Sequence, residues 1–164
     1  PDYAMQYIAE HVKPFARVWE PCCGAGHMVR FLEQRGHAVT ATDIHMGPEF
    51  DVLTYAPPAD SYDIVVTNPP FQGKRKFLRR LFALGKPFAI LMPTMVLDSN
   101  PCRALLKAHG DFGLLMPGRT INYIPKEYHD ATADANAPPR SSQSFFHSSW
   151  LCYKIPTVQG LVLL

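Results

Sequence analysis

Asn68-Pro69-Pro70-Phe71 follows the apolar run Tyr62-Asp63-Ile64-Val65-Val66-Thr67, and these residue types in this order define a chemistry. The two prolines fix the backbone dihedrals and remove two amide donors, so the local carbonyls and the Asn68 side-chain oxygen face a guest instead of a ladder partner. Two convergent acceptors suit a planar NH2 group, whose nitrogen lone pair is delocalised and therefore weakly nucleophilic. Gripping both hydrogens favours a more tetrahedral nitrogen as an electrophile approaches, and the help is greatest where positive charge develops. No ionised base is needed at the start, and Phe71 supplies a ring on which a flat substrate stacks.

A second constellation lies upstream. Glu20-Pro21-Cys22-Cys23-Gly24-Ala25-Gly26 falls between a predicted strand and a predicted helix, where small residues let a ligand approach the backbone and the helix start offers amide donors. The third glycine of a pyrophosphate-binding fingerprint is missing, because Val29 takes its place. Asp43 lies about 20 residues beyond the turn, the position from which a carboxylate accepts from ribose hydroxyls in nucleoside-binding α/β folds. The pair therefore suits a nucleoside without a pyrophosphate. Read alone, Glu20 also serves as a cap of its turn, and Asp43 and Asp51 as ordinary loop carboxylates.

The elements that must position these residues are legible from periodicity. Tyr3 to Val12 carries apolar residues on one helical face and stops at Pro14. Val18-Trp19-Glu20 is a short strand, Met28 to Leu32 a helix closed by Gly36, and Ala38 to Thr42 a strand ending at Asp43. Met46 to Ser61 is rich in Pro, Asp and Gly and is predicted to be mostly loop, with local order at Asp51-Val52-Leu53. After the strand Tyr62 to Thr67, Lys74 to Lys86 forms an amphipathic helix with Arg75, Lys76, Arg79 and Arg80 on its polar side. Phe88 to Met92 is a buried strand, and Asn100-Pro101 opens a helix that ends near Gly110. Strands are expected at Phe112 to Met116, Ile121 to Ile124 and Ser149 to Ile155, and Lys126 to Ser144 is expected to be a long mobile loop. Alternating strands and helices predict an α/β parallel sheet with an antiparallel hairpin at its edge.

Size and charge agree with one catalytic domain. The 164 residues are enough for a single core, and a formal charge of +2 does not by itself announce a polyanion partner. Cys22, Cys23, Cys102 and Cys152 match neither a disulfide framework nor the paired spacing of a zinc site, which points to a reducing, intracellular setting and no metal. The apolar run Phe88 to Met92 stops at Pro93, well short of the ~18 residues that span a bilayer, and no secretory signal opens the sequence. The chain begins at Pro1 without Met, as a trimmed chain or a piece of a longer polypeptide would.

Taken together, the segments resemble the S-adenosylmethionine-dependent amino-methyltransferases, over about Tyr3 to Lys154 and with three motifs in family order. The Glu20 to Gly26 segment is similar to the cofactor-binding loop, Thr42-Asp43-Ile44 to the ribose-binding acid with its adenine-packing neighbour, and Asn68-Pro69-Pro70-Phe71 to the catalytic loop. Asp51-Val52 matches the acidic-hydrophobic pair that holds the cofactor adenine in that family. The nearest resemblance is to the small phage and viral N6-adenine methyltransferases, through Gly118 to Tyr123, Pro138-Pro139 and Ser148 to Leu151. Cys22-Cys23 departs from the small or polar residues usual in the loop, and the Thr-Pro often found before the first helix is not present.

The resemblance implies a class I, Rossmann-like fold, with a seven-stranded, mostly parallel sheet whose last strand inserts antiparallel and helices on both faces. It implies S-adenosylmethionine as cofactor, S-adenosylhomocysteine as product, and methyl transfer to adenine N6 with Asn68 and the Pro69 carbonyl holding the amine and Phe71 stacked on the base. Glu20, Pro21, Cys22, Gly24, Gly26, Asp43, Ile44, Asp51 and Val52 are the expected cofactor residues. Cytosine C5 methylation uses a cysteine after proline, but Pro21-Cys22 lies in the cofactor loop and not in the substrate loop.

Because a duplex buries the adenine amine, such an enzyme flips its base or works on a single strand. Lys74, Arg75, Lys76 and Arg79 start three residues beyond Phe71 and are expected to contact the phosphate backbone, flanked by Arg119, Lys126 and Arg140. DNA is the favoured polymer and RNA the alternative. No target-recognition domain is left in the chain, so base sequence would be read by the Lys126 to Ser144 loop, by a partner chain, or not at all. The competing functions are methylation of RNA adenine N6 or guanine N2, methylation of a protein glutamine amide, and a noncatalytic partner subunit.

Overall fold

The computed structural model describes residues 2–70, 72–121 and 147–163. One sheet organises them. Its strands are β1 (Arg17–Glu20), β2 (Ala38–Ala41), β3 (Ile64–Thr67), β4 (Phe88–Pro93), β5 (Phe112–Met116), β6 (Ser148–Tyr153) and β7 (Gly160–Leu163), in the spatial order β2-β1-β3-β4-β6-β5-β7. The helices are α1 (Asp2–Val12), α2 (His27–Glu33), α3 (Lys74–Leu84) and α4 (Asn100–His109).

Strands β1 to β4 are parallel, with Val18 opposite Val39 and Ile64, and Val66 opposite Ala89. Among the described residues strand β6 alone runs against them, antiparallel to both β4 and β5. The strand expected at Ser149 to Ile155 therefore inserts antiparallel into a mostly parallel seven-stranded sheet, as the resemblance implied. Strand β7 is an addition. It pairs parallel with β5 at the sheet edge, Leu114 opposite Leu161 and Met116 opposite Leu163, in a segment where no strand was expected. Of the expected strand Ile121 to Ile124, Ile121 is buried but not in a strand, and the rest lies outside the described residues.

Alternation along each strand sorts the core into two layers, because successive side chains point to opposite faces. Val18, Ile64, Val66, Ala89, Leu91, Trp150 and Cys152 pack under α1 and α2. Trp19, Val65, Phe88, Ile90, Met92, Leu151 and Tyr153 pack under α3 and α4. Strands covered on both faces read as unbroken apolar runs, which explains Phe88 to Met92. Each buried large aliphatic or aromatic side chain contributes roughly 1.5–3 kcal/mol, so the two layers supply most of the driving force. Trp150 also donates its indole N–H to the Ala4 carbonyl at 2.8 Å, fixing α1 against β6.

Local chemistry sets the helix ends. Helix α3 starts at Gly73 (φ 78°) and closes at Gly85 (φ 69°), both left-handed. Ser99, not Asn100, is the residue before α4, and Pro101 falls in its first turn where no intrahelical donor is required. Gly113 admits no side chain, since a Cβ there would lie 2.3 Å from the Val158 carbonyl oxygen. Among the described residues no helix is long and apolar enough to cross a membrane.

Candidate active site

Every parallel strand delivers its carboxyl end to the same edge of the sheet, and open α/β sheets bind ligands outside those ends. The Gly24 turn follows β1, Asp43 follows β2, Asn68 follows β3, and a short 3₁₀ turn, Thr94–Asp98, follows β4. Their order across the edge is Asp43, Gly24, Asn68, Thr94, because β2, β1, β3 and β4 are successive neighbours.

The Gly24 turn is held from three sides. Thr42 N–H donates to the Glu20 carbonyl at 2.9 Å and Cys23 N–H to the Thr42 carbonyl at 3.0 Å, extending the β1–β2 ladder past the strands. The Asp43 carboxylate accepts from Gly24 N–H and from His45 N–H, each at 2.9 Å. Arg30, on α2, donates to the Ala25 carbonyl at 2.9 Å. Gly24 (φ 48°) and Gly26 (φ 75°) adopt left-handed backbone, and a Cβ on Gly24 would meet open space. The chain is thus bare and exposed where a ligand would lie against it.

Glu20 joins this turn to the loop after β3. It is 1% exposed, and its Oε1 accepts from Cys22 N–H at 2.9 Å and from the Thr67 hydroxyl at 2.7 Å. Burial pushes its carboxyl up to about 8, against the opposing effect of those two hydrogen bonds. The same burial, with the neighbouring Glu20 charge, pushes the Cys22 thiol up to about 12, so Cys22 has no thiolate character near neutrality. All four cysteines are free. The Glu20 side chain faces the interior, where it braces the two loops, while Pro21 is buried and Cys22 half-buried behind the turn.

Asn68 is half-buried, Pro69 buried and Pro70 exposed. Among the described residues no hydrogen bond occupies the Asn68 side chain, in contrast to Glu20 and Asp43. Phe71 lies outside the described residues.

The rest of the expected cofactor set divides. Ile44 is 53% exposed beside Asp43, an apolar surface at the ligand edge. Asp51 accepts from Leu53 N–H at 2.9 Å. Val52 is 3% exposed and packs with Trp19 and Tyr62 in the core, so its side chain does not present a surface to a ligand.

The cationic set is also redistributed. Arg75, Lys76 and Arg79 are exposed on α3. Lys74, expected among the phosphate contacts, is 4% exposed, and burial lowers its ammonium to about 8, so it belongs to the inner side of the helix. Arg80 is half-buried and donates to the Val52 and Tyr55 carbonyls at 3.1 and 3.3 Å. Arg119, beyond the end of β5, stacks over the Tyr3 ring at 4.2 Å. Lys126 and Arg140 lie outside the described residues.

Thr67 and Arg30 carry no site role in the sequence reading, and Thr42 enters it only within the Thr42-Asp43-Ile44 motif, though each does work at the site. Thr42 Oγ1 accepts from the buried Trp19 indole at 2.9 Å. A polar residue closing an apolar strand, as Thr67 does in Ile64-Val65-Val66-Thr67, is the one signal that was available for it.

Solved structures share this architecture. A protein described as the modification subunit of a type I restriction enzyme from Vibrio vulnificus superposes with TM-score 0.61 at 12% identity, over 99% of this chain and 46% of its own. A protein described as an RNA methyltransferase from Pyrococcus horikoshii matches with TM-score 0.53 at 15% identity, over 90% of this chain and 77% of its own. The plantazolicin methyltransferase BpumL, solved with S-adenosylhomocysteine and a triazolic desmethylPZN analogue, matches with TM-score 0.51 at 13% identity, over 93% of this chain and 82% of its own. The chain spans less than half the length of the Vibrio protein. No protein-family model matches the sequence, and no curated protein matches it. The fold is that of the Rossmann-like methyltransferases.

Proposed function

We propose that this chain transfers a methyl group from S-adenosylmethionine to the exocyclic N6 amine of adenine in nucleic acid, with DNA the favoured polymer. The observation that carries the reading is the junction of Glu20 with Thr67, which ties a bare glycine turn to an Asn-Pro-Pro loop at one sheet edge. The methyltransferase neighbours support the class, and the unoccupied Asn68 amide supports an amine acceptor.

The residues present fit the cofactor. Gly24 and Gly26 would admit its close approach, the remaining acceptor capacity of Asp43 would take ribose hydroxyls, and Ile44 would cover one face of its adenine. Bound there, S-adenosylmethionine supplies an electrophilic methyl on a sulfonium for direct in-line transfer. Asn68 Oδ1 and the Pro69 carbonyl accept the two amine hydrogens, hold the nitrogen at the electrophile and stabilise the charge that develops on it. Phe71 stacks on the base. The amine proton leaves after the new bond forms, to water, so no buried base is required. Arg75, Lys76 and Arg79 meet the phosphates beside the loop.

The test is incubation with labelled S-adenosylmethionine and DNA, RNA or protein, followed by nucleoside and peptide analysis. N6-methyladenine in DNA supports the reading. N6-methyladenine or N2-methylguanine in RNA redirects it to that polymer, methylglutamine redirects it to protein, and cofactor binding without any product leaves a noncatalytic subunit.

A further inference from the structure

Helix α2 folds one guanidinium back onto the turn that precedes it. Arg30 Nη1 donates to the Ala25 carbonyl at 2.9 Å, and Nη2 lies 3.3 Å from His27 Nδ1. A Cβ on Gly26 would lie 3.1 Å from Nη1, so glycine at this position leaves room for the guanidinium as well as adopting φ 75°. The side chain is exposed, yet its charge is held against the bare turn.

That charge meets no carboxylate among the described residues. Their ion pairs join Lys13 to Glu10, Arg17 to Asp63 and Arg103 to Asp98, and none includes Arg30. Other arginines spend their guanidinium on the fold, Arg80 on two carbonyls and Arg119 on the Tyr3 ring. Arg30 retains N–H donors beyond its two contacts, and the planar fork matches the geometry of a carboxylate.

The ligand expected on this turn carries one carboxylate. S-adenosylmethionine is a nucleoside joined through its sulfonium to an amino acid, and here Asp43 after β2 suits the ribose while Asn68 after β3 suits the acceptor. Because β1 lies between β2 and β3, a ligand reaching from Asp43 toward Asn68 crosses the Gly24 turn. Its amino-acid end then leaves the sulfonium beside the residues that Arg30 touches.

We infer that Arg30 binds the α-carboxylate of the cofactor's amino-acid end. This rests on the methyltransferase reading above and completes its cofactor half, with Asp43 at one end of the ligand and Arg30 at the other. The carboxylate takes no part in the transfer and is common to cofactor and product, so the contact strengthens binding of both and leaves the chemical step alone.

The test is calorimetric binding of S-adenosylhomocysteine and of 5′-methylthioadenosine to wild type, Arg30→Gln and Arg30→Lys. The second ligand keeps the nucleoside and the sulfur and lacks the amino-acid end. Arg30→Gln is expected to weaken S-adenosylhomocysteine by about 10- to 100-fold, the range of a charge-assisted hydrogen bond, while 5′-methylthioadenosine stays within about twofold of wild type. Arg30→Lys should recover part of the loss, and turnover of Arg30→Gln should show a raised KM for S-adenosylmethionine with kcat largely kept. Wild-type affinity of Arg30→Gln for S-adenosylhomocysteine overturns the inference. So does an equal loss for both ligands, which would leave Arg30 as a tether of the Ala25 carbonyl alone. Failure of the methyltransferase reading looks different, as wild type that binds neither ligand.

Discussion

The Glu20 carboxyl and the Thr67 hydroxyl meet at 2.7 Å beneath the sheet edge, and the same Glu20 oxygen holds Cys22 N–H at 2.9 Å. One buried side chain thus couples the glycine turn after β1 to the Asn-Pro-Pro loop after β3. The proposed methyl donor and acceptor sites share a single brace.

That brace carries a pH signature. The folded carboxyl is raised to about 8 from its ordinary 4.5, so its protonated form favours the folded state. Its contribution to stability is fully present below about 4.5 and declines as pH rises toward 8, by at most about 1.4 kcal/mol per unit. Glu20→Gln keeps an acceptor for both donors and removes the titration. Thermal melts at pH 6 and pH 9 should therefore show a smaller loss for Glu20→Gln than for wild type; equal losses would place the carboxyl outside the pH response.

Asn68→Ala should remove an acceptor on which only the transition state relies. Turnover is expected to fall by about 10²- to 10³-fold while S-adenosylhomocysteine affinity, read by calorimetry, stays near wild type. Asp43→Ala should do the reverse, weakening cofactor binding through loss of the proposed ribose contacts and of the Gly24 and His45 tethers.

Arg80 separates positioning from phosphate contact. Its guanidinium ties α3 to the Val52 and Tyr55 carbonyls, so Arg80→Ala should loosen the 51–55 segment at a cost of about 1–3 kcal/mol in stability. Denaturant melts check that figure. Nucleic-acid affinity should be unaffected, whereas Arg79→Ala, which removes an exposed charge, should weaken it and reduce its salt slope by about one.

The cysteines offer a chemical check. With its thiol pushed up to about 12, Cys22 should resist iodoacetamide at pH 8. Half-exposed Cys23 should react first, and buried Cys102 and Cys152 only after denaturation. Peptide mass spectrometry gives the order. Cys22→Ala should retain most activity, and its complete loss would reopen a thiol mechanism.

Local pattern was enough for the elements and the loops that bear chemistry. The unbroken apolar run of Ile64 to Val66, the amphipathic run from Lys74 and the Gly and Pro stops are properties of neighbours in the chain, and so are the Gly24 turn and the Asn68 loop. The antiparallel insertion of β6 followed from resemblance, while β7 stayed hidden because an edge strand of Gly-Leu-Val-Leu carries no alternation.

What the chain alone could not decide was which polar groups spend themselves on the fold. Glu20 reads from the sequence as a ligand carboxylate, and only the fold shows that Thr67, 47 residues away, also takes one of its oxygens. Lys74 and Arg80 read as members of one basic face, yet packing buries the first and carbonyls 25 and 28 residues distant claim the second. Val52 goes into the core and Met95 stays in water. Residue type and spacing determined what chemistry was available at the sheet edge. Only long-range contacts, made when the strands assemble, decided which of those groups remain open to a ligand, because a buried donor or acceptor must find its partner inside the protein.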